Sequence, residues 1–588
     1  MIRFGENALL ALTLAGLALL PLVEALSRKL FNAGIVGSAP FVQHLTLVAS
    51  MLGAAVAARD GKLLTLFEFA AFGNSRLKAI SRWVGHTGAA VVACFLAIAA
   101  LRLAESEWAA GTKLAYGIPV SLVQLVLPLG FGLIALRLVW RSTAGMALLA
   151  LLLAGAPLWA PHPELFFLPA LIGLALCAAA GAPIFAVLGG AALVMFWRHD
   201  APIASVALDH YRMVVNPSLP AIPLFTLAGF GLAAGGAAER LTQLFQALFG
   251  HFRGGIGIAA VVVGAFFTAF TGASGVTILA LGGVLLPLML AARYRERDAI
   301  GLVTVSGSLG TLLAPCLPLV LYAIVAKIRI EHMFVGALLP ALLMIVMVAW
   351  WGARRDPRRQ EPMRAFDRSR ALQAVIAAKW ELALPLVVFA SLFGGFATPV
   401  EAAALTAVYV FAVEIVVYRG LRDWRRLIDV MAQCGALVGG VLLILGVALG
   451  LTNYLVDIEW PSRAVEWTTR TIESRWVFLL ALNALLLAVG CLMEVWSAIV
   501  VLPPLLVPVG LAFGVDPIHL GVIFLANLEL GYLTPLVGVN LFFASSRFGK
   551  PILEVGRAVL PLFPVLALGV LLITYVPWLS TALTGLIR

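Results

Sequence analysis

Two stretches decide the reading of this chain. The first is TGASG at 271–275 with SGSLGTLLAPCLPLVLYA at 306–323; the second is GCLMEVWSAIVVLPPLLVP at 490–508 with LELGYLTPLVGVNLFF at 528–543. They align as copies. Pro287 falls on Pro508 and Gly310 on Gly531, both at an offset of 221 (508−287, 531−310), and Pro315 falls on Pro535 at 220 (535−315). Each copy is an apolar segment interrupted by small residues, followed by one broken by Gly and Pro. Paired interruptions of this kind in two halves of an apolar chain point to the binding site of a secondary transporter.

The rest of the sequence supports a membrane setting. Of 588 residues, 62% are hydrophobic and 12% charged, and mean hydropathy is +1.04. A soluble chain carries about 25% charged residues. Apolar runs near 20 residues recur from Ala8 to the C-terminus, which predicts an all-α polytopic membrane protein. The net charge of +11 does not indicate nucleic acid, because the basic residues sit in short connectors between spans. The five cysteines show no CxxC spacing and the eight histidines no HExxH, so neither a disulfide framework nor a bound transition metal is expected. No GxSxG and no Walker loop occurs, which argues against an enzyme and against an ATP-driven pump. The apolar run behind a single N-terminal Arg reads as an uncleaved first span.

Residues 1–143 are expected to form a four-helix unit, with spans at about 8–26, 41–58, 84–104 and 118–140. Residues 144–163 read as a connecting span or linker, closed by PHPE at 161–164. Residues 164–588 form the larger unit, with internal repeats at about 256–330 and 476–550. Amphipathic stretches at 200–218 and 237–255 suit interfacial helices. The basic loops 293–297, 354–370 and 419–426 are expected on the cytoplasmic side, and the stretch 456–475 as a loop at the opposite interface.

Small residues inside apolar segments let the backbone unwind, exposing carbonyls to a cation and half-helix N-termini to an anion. In the first copy the residues are Thr271, Gly272, Ala273, Ser274, Gly275 and Thr277, facing Ser306, Ser308, Gly310, Thr311 and Ala314. In the second they are Gly490, Glu494 and Ser497, facing Gly531, Thr534, Pro535, Val537 and Asn540. Close helix packing in lipid uses the same residue types, but does not require them twice in one pattern. Ionisable groups within apolar runs are costly, so Glu401, Glu414, Glu494 and Glu529 are suspects for function. Glu494, at the second tip, is the strongest. Glu401 and Glu529 read equally well as braces of broken helices.

Several motifs resemble the tripartite ATP-independent periplasmic (TRAP) transporters, with small and large membrane subunits fused. In the larger unit these are AIPLFTLAG at 221–229, HFRGG at 251–255, APCLPLVLYAI at 314–324 and GGFATPVEAAA at 394–404. VDPIHLGVIFLANLELGYLTPLVGVNLF at 515–542 and AVLPLFPVLALGVLLITYVP at 558–577 complete the series. The small-subunit resemblance rests on RKLFN at 28–32, GAAVAARDGK at 53–62 and GIPVSLVQLVLPLGF at 117–131.

The resemblance implies an elevator fold with two inverted repeats containing re-entrant hairpins, beside a static four-helix scaffold. It implies sodium-coupled import of an organic acid delivered by a periplasmic substrate-binding protein, through a monomeric unit in the bacterial inner membrane. One sodium site would comprise Gly272, Ser274, Ser308, Gly310 and Ala314. The other would comprise Glu494, Ser497, Gly531, Thr534 and Val537. Substrate would lie near Thr271, Ser274, Thr398 and Asn540. No other cofactor is implied. This chain has Thr277 where the family commonly has an acid after the first tip, Glu494-Val495 for its Asp-Pro, Phe230 within its AGE, and FVQH at 41–44. With hydroxyls and backbone alone, the first sodium site is expected to be the weaker. A stand-alone symporter of related fold is the alternative reading; a membrane-embedded enzyme would need a polar catalytic cluster at an interface, which the sequence does not offer, and a scaffold would have no use for two ion-competent breaks.

Overall fold

The computed structural model describes residues 2–65, 75–140, 145–146, 163–357, 366–395, 397–493, 495–534 and 538–586. Among these the chain is helical, with two isolated bridges, Thr65–Pro183 and Lys113–Pro119, and no strand. Helices satisfy their own backbone polar groups, as an apolar environment demands. Among the described residues eight helices are long and apolar enough to cross a membrane, and up to thirteen spans result if each bent pair counts as one. The protein is an all-α, multi-pass membrane protein.

The chain divides into two compact units. One comprises residues 1–223 and 428–463; the other comprises 224–427 and 464–588. In the first unit the four expected N-terminal spans are helices Ile2–Phe31, Ser38–Asp60, Ala79–Ala110 (within Ser75–Ala110) and Val120–Val139. The polar connector at 59–62 is held internally, with Arg59 on Glu6 at 2.7 Å and on Asp60 at 2.9 Å, and Arg137 also on Glu6. The apolar run 165–197, continuous in sequence, folds as two helices, Pro163–Ala179 and Ile184–Arg198. Gly181 at φ 80° makes the left-handed turn between them, and Pro183 opens the second. The stretch at 144–160, expected as a fifth span, lies almost entirely outside the described residues.

The first unit also takes residues 428–463, which include most of the long helix Trp424–Asp457. Its packing on Ser38–Asp60 is backbone to backbone. A Cβ on Gly53 would lie 2.0 Å from Gly435 O, and one on Gly439 would lie 2.2 Å from Ala54 N. Small residues permit such approach where no hydrophobic drive separates helix from lipid. Leu10, Val56, Ala57 and Ala436 close the seam.

The second unit contains both copies. Helices Gly255–Thr271 and Ser274–Ala291 form the first hairpin, joined through Gly272 at φ 68° and the extended Ala273. Glu296–Leu309, a 3₁₀ turn at Gly310–Leu312 and Leu317–Val325 form the first broken helix, bent by 40°. Arg475–Leu492, Val495–Val501 and Pro503–Ala512 form the second hairpin; Pro517–Gly531 and Val539–Phe548 form the second broken helix. At 17 residues, Gly255–Thr271 spans about 25 Å at 1.5 Å per residue, less than a hydrocarbon core. Its tip is buried in protein, as an interrupted backbone requires. The stretch 456–475 differs from the expected loop: Trp460–Thr471 is an amphipathic helix with no buried residue. Its Trp, Arg and Glu residues alternate at helical spacing, a pattern its balanced charge disguises in sequence.

Candidate functional site

The two copies build the same crossing. Within each, the first hairpin arm packs against the broken helix that follows, Gly255–Thr271 on Glu296–Leu309 and Arg475–Leu492 on Pro517–Gly531. The equivalent glycines make both crossings possible. A Cβ on Gly310 would stand 2.2 Å from Ala265 O and 2.6 Å from Ala269 N; one on Gly531 would stand 2.5 Å from Gly490 C. Real Cβ atoms do not approach backbone so closely, so both positions exclude every side chain.

The copies also pack on one another. The first hairpin's second arm packs on Val539–Phe548, and Leu317–Val325 packs on Val495–Val501. Each tip therefore meets the far half of the other copy's broken helix. Ser274 Oγ donates to Asn540 Oδ1 at 2.6 Å across this contact, and a Cβ on Gly275 would fall 2.4 Å from the Phe543 ring. Ser308 Oγ and Glu529 Oε1 are 3.3 Å apart across it as well.

The first tip is a cluster of hydroxyls. Thr277 Oγ1 lies 2.8 Å from Thr268 Oγ1 and 3.1 Å from Thr271 Oγ1, and Thr268 Oγ1 lies 2.9 Å from Gly307 O. Thr277, where a family member commonly carries an acid, is thus absorbed into an uncharged network. Gly310 and Ala314 are buried in the turn between the broken-helix halves. Helix Ala221–Ala234 seats against this tip through Gly229, whose Cβ would meet Phe270 O at 2.3 Å and Thr271 Cα at 2.5 Å.

At the second break, Thr534 Oγ1 donates to Gly531 O at 2.8 Å and lies 3.1 Å from Cys491 Sγ. Ser497 is fully buried and its Oγ has no hydrogen-bond partner among the described residues. Two further orphans accompany it: Glu529 Oε2 and Asn540 Nδ2, both on residues of zero exposure. Buried polar atoms are mostly paired, so these three, which have no partner among the described residues, leave the two breaks open to a ligand; orphan atoms such as Ser50 Oγ and Glu414 Oε2 also occur away from the breaks. Glu494 and Val537 lie outside the described residues, as do Pro535 and Leu536. Thr398 is exposed and spends its side chain on a helix end. It accepts from Glu401 N at 3.3 Å while Glu401 Oε2 accepts from Thr398 N at 2.8 Å, a capping box. No hydrogen bond joins Thr398 to Ser274 or Asn540 among the described residues.

A family model for the tripartite ATP-independent periplasmic transporter, DctM component, matches residues 171–579, and one for the DctQ component matches residues 17–148. The chain belongs to the TRAP transporters. It is a fused permease carrying the small and the large component in one polypeptide. It is 32% identical over 516 residues to the isethionate TRAP transporter permease protein DctMQ of Oleidesulfovibrio alaskensis, covering 84% of this chain and 80% of that one. It is 34% identical over 426 residues to the C4-dicarboxylate TRAP transporter large permease protein DctM of Rhodobacter capsulatus, covering 69% and 96%. The YdaH transporter of Alcanivorax borkumensis shares the fold at a TM-score of 0.50 and 17% identity, over 72% of this chain and 99% of that one.

Within this TRAP permease the structure sorts three of the four intramembrane acids that sequence left open; Glu494 lies outside the described residues. Glu401 caps a helix. Glu414 is paired: Arg240 bonds Glu414 at 2.6 Å and also Glu381, donates to Gly235 O at 3.0 Å and stacks 3.6 Å above the Tyr418 ring. A π-helical turn at Val413–Val417 sets Glu414 toward it. Glu529 has no basic partner among the described residues. Sequence reasoning missed Arg240 and Glu381, which sit near helix ends and look interfacial. It missed Gly229 because a glycine in an apolar helix carries no signal until its neighbour is known.

Proposed function

We propose that this TRAP permease imports a small organic anion with sodium as the coupling ion, by an elevator movement of the second compact unit. In this reading the N-terminal helices are the static scaffold, and a periplasmic binding protein delivers the cargo to a single fused unit in the bacterial inner membrane. The observation that carries the reading is the set of unpaired buried polar atoms at the two breaks. Ser497 Oγ and Glu529 Oε2 can accept, which suits a hard cation bound by oxygen. Asn540 Nδ2 can only donate, which suits an anion. A cation site around Glu494, Ser497, Gly531, Thr534 and Val537 would use the Ser497 oxygen, and an anion beside Thr271, Ser274 and Asn540 would use the Asn540 amide; a further cation site around Gly272, Ser274, Ser308, Gly310 and Ala314 would offer hydroxyls and carbonyls.

The relatives' cargo supports a small carboxylate or sulfonate: isethionate, C4-dicarboxylates and 2,3-diketo-L-gulonate name three of them. The test is uptake into proteoliposomes against a panel of such acids, with a sodium gradient or choline in its place, and with or without the cognate binding protein. Sodium-independent uptake would overturn the coupling. Full uptake without the binding protein would favour the stand-alone symporter.

A further inference from the structure

Read from sequence, the first cation site has no charge of its own: Gly272, Ser274, Ser308, Gly310 and Ala314 are all neutral. A cation leaving water for an apolar interior needs a compensating charge. The fold supplies one from the other copy.

Glu529 stands two residues before the break at Gly531, and Ser308 stands two residues before the break at Gly310. They hold the same place in the two copies (529−308 = 221), and they touch at 3.3 Å. Both therefore lie on the boundary where the copies meet. One copy brings a hydroxyl to that boundary and the other a carboxylate.

The contact is short of donors. The Ser308 hydroxyl has one hydrogen and two acceptors within reach, Val305 O at 2.9 Å and Glu529 Oε1 at 3.3 Å. The nearer carbonyl is the better acceptor, which leaves Ser308 Oγ and Glu529 Oε1 as two lone-pair oxygens facing each other. Among the described residues Glu529 Oε2 has no hydrogen-bond partner, and no Lys, Arg or His pairs with the carboxylate. Nor does Glu529 brace its helix. It sits in the last turn of Pro517–Gly531, where a negative charge opposes the helix dipole. Oxygens facing oxygens in a buried, donor-poor gap describe a cation's surroundings.

We propose that Glu529, from the second copy, is the carboxylate of the first cation site and acts there through Ser308. The two sites then share charge across the copy boundary, and the first is not the weaker one. The inference rests on the sodium-coupled reading above.

The test is thermal unfolding of the purified full-length permease, titrated with sodium chloride against choline chloride at constant ionic strength. Loss of a hydrogen-bonded charge raises the half-effective sodium concentration by about ten- to a hundredfold, which is the shift expected for Glu529→Gln. Glu529→Asp is expected to recover part of it. Ser308→Ala is expected to add little to Glu529→Gln, because both act on one site, whereas Ser497→Ala is expected to add in full. A Glu529→Gln titration that overlays the wild-type curve overturns the inference and leaves sodium coupling standing. Additivity with Ser308→Ala, or its absence with Ser497→Ala, also overturns it. A wild-type protein indifferent to sodium removes the functional reading and the inference together. If Glu529→Gln does not fold, Glu529→Asp and Ser308→Ala carry the same comparison.

Discussion

Glu414 and Glu529 are both intramembrane glutamates of the second unit with almost no exposed surface, at 1% and 0%, yet their circumstances are opposite. Glu414 meets a guanidinium that also holds Glu381 and covers the Tyr418 ring. Glu529 meets one serine hydroxyl already within reach of a nearer acceptor. Burying a charge is costly unless it is paired; each carboxylate keeps one oxygen without a hydrogen bond among the described residues, but only Glu414 meets a positive charge, and that pairing holds helices together. The same residue type in the same kind of apolar run serves structure in one place and, in our reading, ion coupling in the other.

The comparison breaks first at Arg240. Arg240→Ala leaves Glu381 and Glu414 without the guanidinium that hydrogen-bonds them both, and removing one partner of a buried pair costs about 3–5 kcal/mol. The expected outcome is a large fall in thermal midpoint, with sodium response retained in whatever protein remains folded. Arg240→Lys is expected to rescue it poorly, since one ammonium cannot reproduce the planar fork and the stacking. A midpoint unchanged in Arg240→Ala would show that Glu414 is no better anchored than Glu529.

The next effect is steric. Gly310→Leu and Gly531→Leu each force a side chain into backbone, and overpacking costs about 1–3 kcal/mol or more. Both are expected to abolish uptake, and equally, because the crossings are equivalent. Uptake that survives one substitution and fails with the other would show that the copies carry different loads.

A smaller effect is expected at the exposed cap. Thr398→Ala removes a capping hydroxyl worth about 1 kcal/mol, and is expected to lower the midpoint slightly with unchanged substrate affinity in uptake assays. A raised KM at undiminished stability would return Thr398 to the substrate. The smallest change in stability is expected for Glu529→Gln in sodium-free buffer. Replacing an unpaired buried carboxylate with its neutral isostere is expected to alter the midpoint by less than about 0.5 kcal/mol, or to raise it. A fall as deep as that of Arg240→Ala would erase the contrast and make Glu529 a structural residue.

The hairpins and broken helices were readable because both rest on local rules. Gly272 supplies a left-handed turn, and the Gly310 and Gly531 breaks recur at one offset. The packing between copies was not readable from spacing. Spacing set Ser274 against its own copy's broken helix; the family resemblance set it beside Asn540, and its hydroxyl does reach that residue, 266 positions away. The extent of the first unit was also hidden, because nothing in Gly435 or Gly439 announces that Gly53 lies against them.

By itself the sequence determined the class of this protein, its helical content, the family and the position of both breaks. The class, the helical content and the breaks follow from composition, from the length of apolar runs or from a spacing counted along the chain; the family follows from the resemblance of its motifs. Only the tertiary structure decided which acid is paired, which is a cap and which stands alone. A carboxylate's role depends on what lies within about 3 Å of it, and at Glu414 that neighbour comes from 174 residues away. At the two equivalent breaks, where sequence showed one half with a charge and one without, the fold set the second copy's Glu529 against the first copy's Ser308.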